Sequence, residues 1–177
     1  MRIAICVLND IRGEAKGIVR MTSAYYSPGV HFEVKLWGLT PGKYGFHVHR
    51  SGNLSQGSHS LCDHYSTHSK THGGLNDPFG HEGDLGNLTV NESGECQSSF
   101  LAKYVSLEGD VRETIIGRSL VMHTQEDDLG LGKFPDSKTT GHSGDRMLYG
   151  IIGIDENCSS PSRYLSAPSI EDSCSIF

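Results

Sequence analysis

Val30-His31-Phe32-Glu33-Val34-Lys35-Leu36 alternates apolar and polar side chains without a break. Successive side chains of a strand point to opposite faces, so this run predicts a strand with one buried face. Thr40-Pro41-Gly42 supplies a turn, and Tyr44-Gly45-Phe46-His47-Val48-His49 resumes β character. Working outward, residues 3–8, 17–21, 85–90, 95–101, 119–123 and 148–154 are further short apolar or alternating runs. Asn91-Glu92-Ser93-Gly94 reads as the turn of a hairpin between two of them. No stretch sustains a helical period. Residues 50–82 and 124–146 are polar and Gly-rich, and loops of that length are uncommon in compact domains unless they are functional. The pattern predicts an all-β antiparallel sandwich or barrel with two long functional loops.

At 177 residues the chain fits one domain with room for a core. The net charge of -6 excludes general nucleic-acid binding through a basic face. No apolar run approaches the ~18 residues of a membrane span. Neither nucleic acid nor membrane is therefore an expected partner. The first residues are already strand-like and lack a charged segment followed by a long apolar stretch, so no signal peptide is read. The 5 cysteines are odd in number and contain no CxxC pair, which predicts free thiols in a reducing compartment. Together these features predict a cytoplasmic protein. Residues 155–177 are rich in Ser and poor in aliphatics. They are read as a mobile tail after a domain of residues 1–154, with a docking segment ending in Ile176-Phe177 as the functional alternative.

The outlier is histidine, at 10 residues, of which 7 fall between His47 and His81. His47 and His49 share one face of a strand, a spacing that can chelate a metal. Two half-exposed surface histidines would give the same pattern. His64, His72, His81 and Asp84 lie on or just after the first long loop. Three imidazoles and a carboxylate make a sensible tetrahedral zinc set. A site of several imidazoles, with His123 far along the chain, also suits copper. His31, His59 and His68 are read as surface residues, and His142 as passive. The Asn-x-Ser/Thr triplets at Asn53, Asn87, Asn91 and Asn157 are read as chance, because no secretory signal is found.

Several motifs occur in order: Gly45-Phe46-His47-Val48-His49, Thr71-His72-Gly73-Gly74, His81-Glu82-Gly83-Asp84-Leu85-Gly86-Asn87, Ile116-Gly117-Arg118-Ser119-Leu120-Val121-Met122-His123, Asp127-Asp128-Leu129-Gly130 and Gly150-Ile151-Ile152-Gly153-Ile154. Together they resemble the copper/zinc superoxide dismutase family over residues 1–154. The resemblance implies an eight-stranded flattened Greek-key barrel of immunoglobulin-like sandwich architecture. It implies one copper per subunit on His47, His49, His64 and His123, and one zinc on His64, His72, His81 and Asp84. His64 then bridges the metals; it lies eight residues before His72, as in the family, and Lys70-Thr71-His72-Gly73-Gly74 fixes that alignment. Asp127 matches the carboxylate that joins His47 to His72. Arg146 matches the arginine that meets the superoxide anion, and Thr140 narrows the same channel. Lys133 and Lys138 are candidates for further positive charge around it.

The implied activity is dismutation of superoxide to dioxygen and hydrogen peroxide, with Arg146 and His64 in catalytic roles. The alternative is a copper-binding protein or an inactive dismutase-like decoy. Such relatives lose a copper ligand or the channel arginine, and both are present here. The implied assembly is a homodimer through Ile5, Val7, Gly52, Ile116, Gly117, Ile151 and Ile152. One departure stands out. The positions matching the family's intrasubunit disulfide are Ser58 and Tyr149, so that bond cannot form. Dependence on a copper chaperone that makes the bond is correspondingly doubtful.

Overall fold

In a computed structural model, residues 2–23, 28–68 and 70–156 are described. In chain order the strands are β1 (Ile3–Asn9), β2 (Ala15–Ser23), β3 (Val30–Leu36), β4 (Gly42–His49), β5 (Ser55–Ser58), β6 (Asp84–Val90), β7 (Cys96–Ala102), β8 (Ser119–His123), β9 (Arg146–Ile151) and β10 (Gly153–Ile154). A single helical turn, α1 (Ser137–Thr140), interrupts the second long loop. Eight strands form the continuous order β6-β4-β8-β9-β1-β2-β3-β7, with β10 pairing β1. All of these pairings are antiparallel. The ends of the order, β6 and β7, lie against each other, so the barrel is nearly closed. Among the described residues no helix is long and apolar enough to cross a membrane.

Burial follows the side-chain period. In β3 the apolar Val30, Phe32, Val34 and Leu36 point inward, and His31 is exposed as its alternation predicts. Phe32 stacks on Phe100 of β7 at 5.2 Å between ring centres. Phe46, Leu8, Met21, Leu120, Met122 and Leu148 fill the rest of the interior. Each such side chain contributes about 1.5–3 kcal/mol when fully buried. Strand β8 is buried at every position, because it carries core residues inward and is roofed by the loops outward.

Two local expectations change. Strands β6 and β7 are joined by a tight turn, but they do not form a hairpin ladder. Strand β6 pairs with β4 and β7 with β3, so the turn marks where the chain crosses from one side of the barrel to the other. The last apolar run is also broken. Ile152 leaves the strand to bond with the 117–118 turn, its N–H donating to Arg118 O at 2.9 Å while its carbonyl accepts from Gly117 N. Its side chain is core, so it is not available to an apolar dimer patch. The readings made for residues 157–177, the triplet at Asn157 among them, lie outside the described residues.

Candidate metal centre

The strand-borne histidines come from adjacent strands. In the ladder His47 faces Val121 and His49 faces Ser119, and His123 ends β8. The loop after β4 folds back so that His64 forms an isolated bridge with His49. That return is held by Tyr65 N to Val48 O at 2.8 Å and Val48 N to Gly83 O at 2.8 Å. Asp84 opens β6 opposite His47. Chain segments far apart in sequence thus deliver His47, His49, His64, His72, Asp84 and His123 to one buried cluster.

Two groups of donor atoms, each within 4.8 Å of one another, emerge from this packing. One is His47, His49, His64 and His123, the set expected for copper. The other is His47, His64, His72 and Asp84. His81, expected beside them, is not in that tight group, but its Nδ1 stands 3.3 Å from Asp84. His59 and His68 are exposed and outside both groups, as expected.

The hydrogen bonds decide which ring nitrogens are free. Carbonyls and carboxylates only accept, so the nitrogen facing one carries the hydrogen and the other keeps a lone pair. His47 Nε2 donates to Asp127 Oδ2 at 2.8 Å. His49 Nδ1 donates to Cys62 O at 2.8 Å and His123 Nδ1 to Gly144 O at 3.0 Å. That leaves His47 Nδ1, His49 Nε2 and His123 Nε2 as lone pairs, the last two only 3.3 Å apart. Buried His47 Nδ1 and His64 Nε2 have no hydrogen-bond partner, whereas His72 Nδ1 stands 3.1 Å from Asp84 Oδ1. Orphaned buried acceptors of this kind are costly unless a cation meets them. The donor set fits copper and zinc: four imidazole nitrogens on one side, imidazoles and a carboxylate on the other.

Asp127 ties the two sides together. Its Oδ1 accepts from His72 Nε2 at 2.7 Å while Oδ2 holds His47. The residue is itself fixed by Asn87, whose Oδ1 accepts from Asp127 N at 2.8 Å and whose Nδ2 donates to Asp127 O at 2.9 Å. Gly141 lies over this link with φ +68°, and a Cβ there would collide with Asp127 and His72. Asn87 and the carbonyls of Cys62 and Gly144 are parts of the centre that sequence reading did not find. Carbonyls carry no side-chain signature, and Asn87 reads in the sequence as a motif residue and a glycosylation triplet, with no hint of its partner.

Electrostatics differ across the cluster. Burial, reinforced by neighbouring imidazoles, pushes His47 and His49 well below the ordinary range and His123 down to about 4. Burial also depresses His64, against the pull of Asp84. For His72 burial again opposes charge, but hydrogen bonds to Asp127 and Asp84 win and raise it to about 9. Asp84 is held far below the carboxylate range, its burial outweighed by hydrogen bonds from His64, His72 and His81.

Arg146 opens β9 beside this cluster, and its guanidinium donates to Ser58 O and Cys62 O. Thr140 is exposed at the end of α1, its hydroxyl donating to Asp136 O at 3.3 Å. His142 stacks on Phe134 and pairs with Asp136 at 2.8 Å. Cys6, Cys62 and Cys96 are free thiols. Where the disulfide would sit, the loop is held by other ties. Arg118 donates to Arg50 O at 2.8 Å, Ser119 Oγ to Ser51 O at 2.8 Å and Ser51 N to Leu61 O at 3.1 Å. Leu61 is fully buried.

Residues 15–152 match the family "Copper/zinc superoxide dismutase (SODC)". An extracellular superoxide dismutase [Cu-Zn] of Drosophila melanogaster is 43% identical over 141 residues, covering 80% of this chain and 77% of the relative. An extracellular superoxide dismutase [Cu-Zn] of Brugia pahangi is 40% identical over 154 residues, covering 85% and 75%. Superoxide dismutase [Cu-Zn] A of Xenopus laevis is 41% identical over 151 residues, covering 85% and 97%. The crystal structure of the clock protein EA4 superposes with a TM-score of 0.80 at 38% identity, covering 86% of this chain and 94% of that one. The chain belongs to the copper/zinc superoxide dismutase family, an enzyme family whose cofactors are copper and zinc and whose substrate is superoxide. The cytoplasmic expectation is overturned, because the Drosophila and Brugia relatives are named extracellular enzymes. An N-terminus read as lacking a leader was a weak guide to where the protein acts.

Proposed function

We propose that this protein dismutates superoxide to dioxygen and hydrogen peroxide, with His47, His49, His64 and His123 holding copper and His64, His72, His81 and Asp84 holding zinc. The observation that carries this reading is the set of buried ring nitrogens left as lone pairs around His64. Copper held there would supply the one-electron couple that dismutation of superoxide requires. Arg146 attracts and orients the anion, since its charge persists despite the burial that lowers its pKa. With a net charge of -6 the chain needs such a local positive feature to draw in an anion. His64 Nε2 would carry one of the two protons that the product peroxide needs, the other coming from solvent. Asp127 fixes the tautomers of His47 and His72, and Thr140 borders the channel. The complete donor set favours this over a copper-binding or decoy role. Metal analysis with a superoxide-consumption assay on copper- and zinc-loaded protein decides the matter. Activity with both metals is expected, and full metal content without activity refutes the reading.

The place of action follows the relatives: we infer an extracellular enzyme. Delivery of copper does not depend on forming a disulfide at Ser58 and Tyr149. The assembly proposed is a homodimer through Ile5, Val7, Leu54, Ile116, Ile151 and Ile154, of which Val7, Leu54 and Ile154 are exposed at 42%, 44% and 50%. Gly52 sits among them because a Cβ there would strike Gly117 O. Apolar burial at ~25 cal/mol per Å² drives such a contact before association costs. Sedimentation of the metal-loaded protein in strong reductant should give the dimer, and a monomer at micromolar concentration would exclude it.

A further inference from the structure

The structure assigns Asn91 as the site of an N-linked glycan, an inference that rests on the extracellular reading above. Of the Asn-x-Ser/Thr triplets, those at Asn53, Asn87 and Asn91 lie among the described residues, and the fold separates them sharply. Asn87 is committed at both amide atoms. Its Nδ2, the atom a glycan would take, donates to Asp127 O at 2.9 Å, and its Oδ1 accepts from Asp127 N at 2.8 Å. A sugar there would remove the support of the residue that links His47 to His72. Asn53 is exposed, but it follows Gly52, which is packed against Gly117 in the proposed two-fold patch. A bulky sugar at that place and a dimer through that patch exclude each other.

Asn91 meets neither obstacle. Asn91, Glu92 and Ser93 are all exposed at the turn between β6 and β7. Its Oδ1 accepts from Ser93 N and Glu95 N, each at 3.0 Å, while its Nδ2 has no partner. The backbone of the turn is closed by Asn91 N to Glu95 O at 2.8 Å, so nothing in the fold depends on the free amide hydrogens. Strand β6 runs from Asp84 to Val90, which places the turn about 20 Å from the metal cluster at ~3.4 Å per residue. Strands β6 and β7 end the strand order whose middle, β9 and β1, carries the two-fold patch, so a glycan at Asn91 leaves both the anion's approach and that patch clear.

The donor is a lipid pyrophosphate-linked oligosaccharide. An N–C bond forms between Asn91 Nδ2 and the sugar's anomeric carbon. The C–O bond to the lipid pyrophosphate breaks, the pyrophosphate leaves with its electron pair, and the amide gives up one proton. No oxidant or reductant is needed.

The test uses the full chain expressed in insect cells behind a cleavable secretion leader. The leader-directed protein is collected from the medium and treated with an amidase that removes Asn-linked glycans and leaves Asp. A loss of mass is expected, with Asn91 recovered as Asp in the peptide map. Asn91→Gln and Ser93→Ala should each abolish the shift, and Ser93→Thr should keep it, so a folding defect in one variant does not decide the outcome. Secreted protein without a glycan, or with a glycan elsewhere and Asn91 bare, overturns the assignment. Blotting the medium and the cell extract of cells that produce the protein themselves tests the extracellular reading separately. If the protein is found only in the cell extract while the leader-directed form carries its sugar at Asn91, the site stands and only the extracellular reading falls.

Discussion

The two sides of the histidine cluster are built by different means. His47, His49 and His123 stand on β4 and β8, adjacent ladder strands that are buried where they pair. His64, His72 and His81 come from the long first loop and converge on Asp84 at the start of β6. The strand-borne side contains imidazoles alone, and burial keeps them neutral. The loop-borne side contains a carboxylate that holds His72 charged in the metal-free protein. A rigid scaffold can thus present bare nitrogen lone pairs, whereas a loop needs a counter-charge to gather its ligands. Metal binding on the loop-borne side then displaces protons that the carboxylate has attracted.

The most severe way to break this comparison is His123→Ala. His123 belongs to the strand-borne group only, so dismutation should fall to background while zinc stays bound. Metal content and activity measured on one preparation check this. Loss of zinc with copper retained would reverse the assignment of the two sides.

Asp127→Asn should have an intermediate effect, because it strikes the link between them. An amide can accept from one imidazole but presents N–H groups to the other. Metal affinity should fall by about 10–100-fold on the side that loses its acceptor and much less on the other. Competition with graded chelators reads the two affinities separately, and equal losses on both sides would remove the tautomer argument.

The smallest expected effect is on the pH dependence of stability without metal. His123 is depressed to about 4 from the ordinary 6.5, so its contribution is complete above about 6.5 and is lost as pH falls toward 4. His72 is raised to about 9, so its contribution is complete below about 6.5 and is lost as pH rises through 9. The two sides therefore give opposite slopes around a shared optimum. Melting curves of the metal-free protein should show an acid limb flattened in His123→Gln and an alkaline limb flattened in His72→Gln. An alkaline limb unchanged in His72→Gln would show that the two carboxylates do not hold that imidazole charged.

Much of this was legible in the chain. The alternation in β3, the run of β8 and the His47-x-His49 pair pointed directly to strands and to paired imidazoles, because side-chain period and residue spacing are local properties. The shared face of His47 and His49 and the loop-borne donors were likewise open to reading. The ladder partners of β6 and β7 were not. A tight turn at Asn91 looks the same whether the flanking strands pair with each other or part to close a barrel, and only the competing partners β4 and β3 decide it. The same holds for Ile152, whose apolar character fits either a surface patch or the core.

What the sequence determined by itself was therefore the inventory: strands, two long loops and a complete set of nitrogen and oxygen donors in family order. Only the tertiary structure decided which nitrogen of each ring is free, because that depends on acceptors contributed by distant segments: Cys62 O for His49, Gly144 O for His123 and the two oxygens of Asp127 for His47 and His72. It also decided which Asn-x-Ser/Thr triplet can bear a sugar. Local sequence specifies the chemical group, but the partner that commits or frees its polar atoms is fixed by packing across the fold.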